Sequence, residues 1–414
     1  AAAPVTSTNP ADLGSAPLLA YTAAWIAGLS GDTTSRRRHL AVARKASPDH
    51  CFPARLEEIL VLESALAADP TDGRAALYLG HLLYDRRRHA EAIEQWRAAT
   101  RHDPKNAVAW RCLGLGAFNI LGKPALARAA YEKAFAAAPA DARLLYERDQ
   151  LWKRLGLAPS KRLRELEKHA ALVATRDDLC VEFCALQNQT GRPERALPIV
   201  STRHFQPWEG GEGQALGQHV RTHQLLARRS LAAGNAAEAV RLLEVALSAP
   251  LSLGEANHLL ANQSDLRLAL GDALAAAGRR ANALPQWRAA AEFKGDFQGM
   301  SVRAYSEITY YSALALRRLG KKSAADQLLR ALLAYAQTLA KTEAKIDYFA
   351  TSLPTMLLFD DDLQARQLTT ALFLEAQARL GLGQKAKGAA LLRTILKRDP
   401  AHALAADLVG GAGL

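Results

Sequence analysis

Cysteine is scarce. The chain has four in 414 residues, too few to staple a protein of this length. Cys51, Cys112, Cys180 and Cys184 therefore read as reduced, structural residues, which favours a cytoplasmic setting. No apolar run approaches the ~20 residues of a membrane-spanning helix, so no membrane association is expected. The opening AAAPVTSTNPADLGSAP lacks the basic region and apolar core of an intact signal peptide. Residues 1–16 read as a flexible lead. If Ala1 is a mature N-terminus, the compartment is periplasmic or extracellular instead. Val/Ile-rich runs between turn signals are also missing, which excludes an all-β or parallel α/β fold. What abounds is alanine and leucine, which lose little on entering a helix. The expected fold class is all-α, with a formal net charge of +12.

Length alone allows two or three globular domains, but the sequence repeats. In GRAALYLGHLLYDRRRHAEAIEQWRAATRHDPKN (73–106), Leu79-Gly80, Ala92, Trp96, Ala99 and Pro104 stand at fixed offsets. Leu113-Gly114, Ala127, Tyr131, Ala134 and Pro139 repeat the pattern, with Pro70, Pro104 and Pro139 spaced by 34 and 35 residues. This period and pattern resembles the tetratricopeptide repeat. The resemblance implies a right-handed α-solenoid of antiparallel helix pairs.

Each anchor has a physical reason. Two helices crossing closely need small residues at the crossing: Gly80, Gly114, Cys184, Ala227, Gly271, Ala313 and Ala376 on the first helix of each pair. Ala92, Ala127, Ala196, Ala239, Ala283 and Ala325 answer them early on the second. Large residues four further on, such as Trp96, Tyr131, Leu243, Trp287, Leu329 and Leu392, fill the gap to the next pair. Proline then stops the second helix. Gly122, Gly156, Gly191, Gly234, Gly278, Gly320 and Gly383 mark the turn within each pair, where positive φ is needed.

These anchors organise residues 17–410 as a single solenoid. A degenerate first repeat spans 18–48, one helix spans 55–68, and two clear repeats span 73–140. Degenerate pairs follow around Gly156 and Gly191. Clearer repeats cover 218–249, 256–292 and 303–338, and a last one runs from Gln364 to about Leu408. Irregular insertions interrupt near 201–217 and 345–362.

The segments CFPARLEEI (51–59), LYERDQLWKRLG (145–156), RHFQPWEGGEG (203–213), DYFATSLPTMLLFDDDLQ (347–364) and FLEAQARLGLG (373–383) add a second resemblance. Together they are similar to the C-terminal repeat half of large bacterial proteins that carry an N-terminal domain of unknown function. That resemblance implies a carbohydrate-linked context, because the N-terminal domain of that group is β-rich and sugar-enzyme-like. It carries over no catalytic residue.

The least repeat-like stretch runs from His204 to Gly213. Adjacent Gly210 and Gly211 permit unusual backbone geometry, and Trp208, Glu209 and Glu212 share the loop. A ring and two carboxylates so placed suit a sugar or a partner's polar group. Alternatively, Trp208 anchors the loop and the glutamates cap the helix near Gln214. The concave face is built from the first helices of the pairs. It should present Arg221, Gln224, Glu307 and Tyr310, along with Arg111, Asn188, Gln189, Arg228, Asp265 and Asp272.

Other clusters read as structural. Cys180/Cys184 and His219/His223 are each four apart but lack the further ligands a metal requires. No metal and no cofactor is expected. Basic clusters such as Arg86-Arg87-Arg88 and Lys321-Lys322 fall at the turns, where cations suit helix C-termini. No aromatics interleave with them, which argues against nucleic acid. Asp360-Asp361-Asp362 reads as a helix N-terminus.

The expected function is a non-catalytic helical-repeat scaffold. It would bind a protein partner, peptide or neighbouring domain through the concave face and the 201–217 loop, with a glycan as the other candidate ligand. The alternative is the accessory half of a carbohydrate-active enzyme whose catalytic β-rich domain is absent from this chain.

Overall fold

The structure is a computed structural model. It describes residues 14–206, 208, 210–293, 295–298, 301–345 and 358–411, with the backbone alone at 297, 298, 301 and 411. Most of the expected lead (1–13), Glu209 of the loop and most of the second insertion (346–357) lie outside the described residues. Contacts divide the chain into two units, 1–151 and 152–414.

Unit 1 contains α1 (Ala16–Leu29), α2 (Thr33–Lys45), α3 (Glu57–Ala68), α4 (Gly73–Asp85), α5 (His89–His102), α6 (Ala107–Asn119), α7 (Pro124–Ala137) and most of α8 (Ala142–Arg154). Asp72 ties its start together. Its carboxylate accepts from the α4 backbone at Arg74 and Ala75, from the Tyr21 hydroxyl on α1, and from Arg44 Nε on α2.

Unit 2 continues with α9 (Pro159–Lys168), α10 (Ala170–Val173), α11 (Asp177–Gln189), α12 (Pro193–Thr202), α13 (Gln214–Ala232), α14 (Ala236–Ala246), α15 (Ser264–Ala276) and α16 (Arg280–Glu292). A ribbon of β1 (Asp296–Gln298) and β2 (Ser301–Arg303) follows, antiparallel with Asp296 opposite Arg303. The unit ends with α17 (Thr309–Arg318), α18 (Lys322–Leu339), α19 (Leu363–Gly381), α20 (Lys385–Arg398) and α21 (Ala403–Gly411). The chain is thus an all-α helical repeat protein. Its only β structure among the described residues is this ribbon of two three-residue strands.

Consecutive helices pack as antiparallel pairs, α4 with α5, α6 with α7, α13 with α14, α15 with α16 and α19 with α20. The crossing residues sit where the period requires. A Cβ on Gly80 would stand 2.5 Å from the Trp96 ring, and one on Gly271 would stand 2.5 Å from Trp287. Both distances are shorter than any real contact, so only glycine admits the indole. Ala92, Ala127, Ala196, Ala239, Ala283 and Ala325 are all 0% exposed.

The turn glycines within the pairs have positive φ, from 57° at Gly122 to 82° at Gly383. The α4–α5 turn is the exception. Arg87 takes the left-handed position there, at φ 61°.

Two helix starts lie later than the period indicates. The pairs expected from 256 and 303 begin at Ser264 and Thr309. Before α15, Asn262 folds back, its Oδ1 accepting from both the Ser264 backbone and hydroxyl, a local alternative to helix. Before α17, Ser306 closes a turn, its backbone N–H donating to Thr309 Oγ1 and its Oγ accepting from the Ile308 backbone. At α19 the acidic run does begin a helix, Asp362 accepting from the Ala365 backbone.

Two substitutions test this packing. Gly80→Leu should lower stability by roughly 1–3 kcal/mol or more, since it overpacks a closed crossing. Arg87→Gly should raise stability slightly. It removes a left-handed cost of roughly 1–2 kcal/mol, partly offset by the ~0.5–1 kcal/mol that glycine loses in chain entropy. Thermal melts of both variants check the pair, and shifts of the same sign would refute it.

Candidate functional site

The irregular loop is held at both ends. Asp177 at the start of α11 accepts from Arg203 Nε at 2.7 Å and from the Gln206 backbone at 2.8 Å. Phe205 is buried, and its backbone N–H donates to the Ser252 carbonyl. Trp208 is half-buried with its indole over Gly211, where a Cβ would lie 2.0 Å from the ring. Gly210 turns the chain at φ 81°. His204 and Glu212 are exposed. The cap of α13 comes from Glu255, which accepts from the Gly213 and Leu216 backbones at 2.6 and 2.7 Å. Glu212 has no such role.

Arg221 lies two turns further along α13 and is buried. Its Nε and Nη2 form a fork on both oxygens of Asp407 in α21, each at 2.8 Å. Gln189 of α11 donates to the Pro400 carbonyl at 2.7 Å, and α11 touches α21. The last helix of unit 2 thus lies against its early helices. Gln224 donates to Asp265 at 2.7 Å. The backbone carbonyl of Glu307 accepts from Gln377 at 2.9 Å, and the Tyr310 ring stands edge-on to Tyr311 at 5.2 Å.

The structure therefore gathers Arg221 and Gln224 on one helix with Asp265 and Asp407. The Trp208 ring meets Gly211 instead. Asp407 and Glu255 escape sequence reading, because each acts on a helix far along the chain.

Beside Gln224 is a cavity of about 210 Å³. Its walls include Ala227, Leu231, Leu243, Leu268, Ala269 and Leu314, and its mouth carries Gln224, Arg228, Asp265, Asp272, Tyr311 and Arg318. Burial holds the Asp265 carboxyl above the usual range, despite the Gln224 hydrogen bond. Burial also pushes the Tyr311 hydroxyl upward. Arg318 forks onto Asp272 at 2.8 and 2.9 Å.

A second hollow, wide and open, is lined by Arg317, Lys322, Arg330 and Asp326 among others. Its Arg317 is engaged by Asp326 at 2.6 Å.

Several charged residues are buried as structural pairs. In unit 1, Glu147 accepts from Arg111 at 2.6 and 2.7 Å, from Arg143 at 2.8 Å and from the Tyr131 hydroxyl at 3.0 Å. Burial alone would raise its pKa, but Arg111 and Arg143 hold it below the usual range. In unit 2, Lys153 and Arg162 do the same for Glu182.

The four cysteines are free and buried, and burial pushes the Cys180 thiol up to about 11. The rings of His219 and His223 lie 4.3 Å apart, and burial lowers both pKa values. Among the described residues no group of three or more His, Cys, Asp or Glu is placed to hold a metal ion. No helix among them is long and apolar enough to cross a membrane.

No protein-family model matches the chain. Similar solved structures include a tetratricopeptide repeat protein from Parabacteroides merdae ATCC 43184. It is 13% identical, with 72% of this chain and 98% of that one covered, at a TM-score of 0.32. A chain of the Naa15/Naa10 assembly bound to HypK-THB is 11% identical over 93% of this chain and 64% of its own, at 0.40. YrrB, described as a TPR protein with an unusual peptide-binding site, is 14% identical over 56% and 91%, at 0.22.

The Glu147 cluster yields a pH test. Its folded pKa lies below the ordinary 4.5, so its contribution is complete above that value and is lost as pH falls through the folded pKa. Glu147→Gln should cost about 3 kcal/mol at pH 7, because Arg111 keeps its burial and loses its carboxylate. It should also flatten the decline of stability below pH 4.5. Urea midpoints across pH 3–7 check both outcomes.

Proposed function

We propose that this tetratricopeptide-like repeat protein is a non-catalytic scaffold, and that the α13 face of unit 2, flanked by the 203–213 loop, receives a protein or peptide partner. One observation carries this reading: the face already holds a polypeptide segment. Helix α21 is gripped by the Arg221–Asp407 fork, and the turn that leads into it by Gln189 on the Pro400 carbonyl. A surface that binds a helix of its own chain has the chemistry to bind another. A fork of two charge-assisted bonds supplies direction as well as attraction. Trp208 and Glu212 border this face, with His204, Gly210 and Gly211 shaping the loop. Glu307 and Tyr310 belong to its far side. The indole of Trp208 lies against Gly211, which supports a loop that frames a polypeptide better than one that offers an open ring to a sugar.

The test uses a labelled peptide of residues 399–411. It should bind the full-length Asp407→Lys chain at least tenfold more tightly than the unaltered chain, whose own helix competes. A peptide carrying Asp407→Lys should bind neither chain, and should bind an Arg221→Glu chain instead. Equal, weak binding throughout would refute the reading.

A further inference from the structure

The cavity beside Gln224 is left unfilled by the resident helix. Its volume, about 210 Å³, decides what it can take. Sites for drug-sized molecules run from about 300 to 1,000 Å³, so a nucleotide or other large cofactor does not fit. An apolar cavity of about 150 Å³ takes benzene, so this one takes a single large side chain. Its walls are suited to that. Leu231, Leu243, Leu268 and Leu314 surround it, and the small Ala227 and Ala269 leave the space.

The polar groups at the mouth are unequal. Asp272 accepts from Arg318 and from the Trp287 N–H at 3.0 Å. Asp265 accepts from Gln224. Arg228 is exposed and makes no hydrogen bond or ion pair among the described residues. It stands seven residues after Arg221 on α13, about two turns or 10.5 Å along the same side. The fork of Arg221 is filled by Asp407, while Arg228 holds no carboxylate by a hydrogen bond: Asp265 acts on it through charge alone and is itself held by Gln224. The cavity runs beside Arg228, lined on α13 by residues from Gln224 to Leu231.

We propose that this cavity anchors a partner polypeptide, with a side chain of leucine, methionine or phenylalanine size filling it and a neighbouring carboxylate pairing with Arg228. This rests on the scaffold reading above and names the chemistry it selects. The partner is a segment with an acidic residue beside a large apolar one, lying along α13 past the resident helix. Apolar contact supplies the hold, and the arginine fork supplies register.

The test is selection of a phage-displayed random nonapeptide library on the full-length chain. Recovered peptides should be enriched in Leu, Met or Phe next to Asp or Glu. Their affinity should fall at least tenfold on Arg228→Glu, and should return when the acid of the peptide is replaced by lysine. It should fall similarly on Ala269→Phe, which fills the cavity. Melting curves accompany each variant. Arg228 is exposed, so its variant decides the matter even if the filled cavity does not fold. An absence of binders, binders without the apolar–acidic pair, or binders unmoved by Arg228→Glu would each overturn the proposal. Binders lost only on Arg221→Glu would overturn it while leaving the scaffold reading intact, and the 399–411 peptide experiment tests that reading separately.

Discussion

Everything else depends on how closely two helices can cross. At Gly80 the indole of Trp96 occupies the space a methyl group would need, and Gly271 admits Trp287 in the same way. The approach is possible only because one partner has no side chain. The reward is a large ring buried against backbone, where packing density matches that of a crystal. Once each pair is drawn together at that point, the second helix presents its next large residue to the following pair. Local crossings thus become a stacked array.

The array also carries charge inside it. Glu147 lies between Arg111 of α6 and Arg143 of its own helix, and Glu182 between Lys153 of α8 and Arg162 of α9. Buried ion pairs are weak evidence for added stability, since desolvation offsets most of the attraction. Their effect here is on register. A leucine seam tolerates a slip of one turn, whereas a fork of two nitrogens on two oxygens does not. Arg221 and Asp407 extend the same device to the last helix.

How much of this is legible in the sequence follows from distance along the chain. Gly80, Ala92 and Trp96 lie within seventeen residues and obey a period, so their roles follow from spacing. The turn glycines are legible for the same reason, and Arg87 breaks the rule at one place. The starts of α15 and α17 are not legible, because local turns at Asn262 and Ser306 redirect a pattern that otherwise reads as helix. The site is the least legible part. Arg221 and Gln224 stand out as polar residues on an inner face. Their partners do not, because nothing local marks Asp407 as the answer to a residue 186 positions earlier. Glu255, which caps α13, sits in an irregular stretch with no signal of its own.

Contact between the early and last helices of unit 2 changes how that unit must come apart. A linear array is nearly one-dimensional: each repeat knows only its neighbours, and ends fray independently. Bonds spanning 186 and 211 residues remove that independence. Opening of α21 therefore breaks contacts with α11 and α13. Closing so long a span must await most of the intervening structure, because its entropy is recovered only at the end. Docking of α21 on α11 and α13 therefore comes late in the assembly of unit 2, whose cooperativity exceeds that of a linear array.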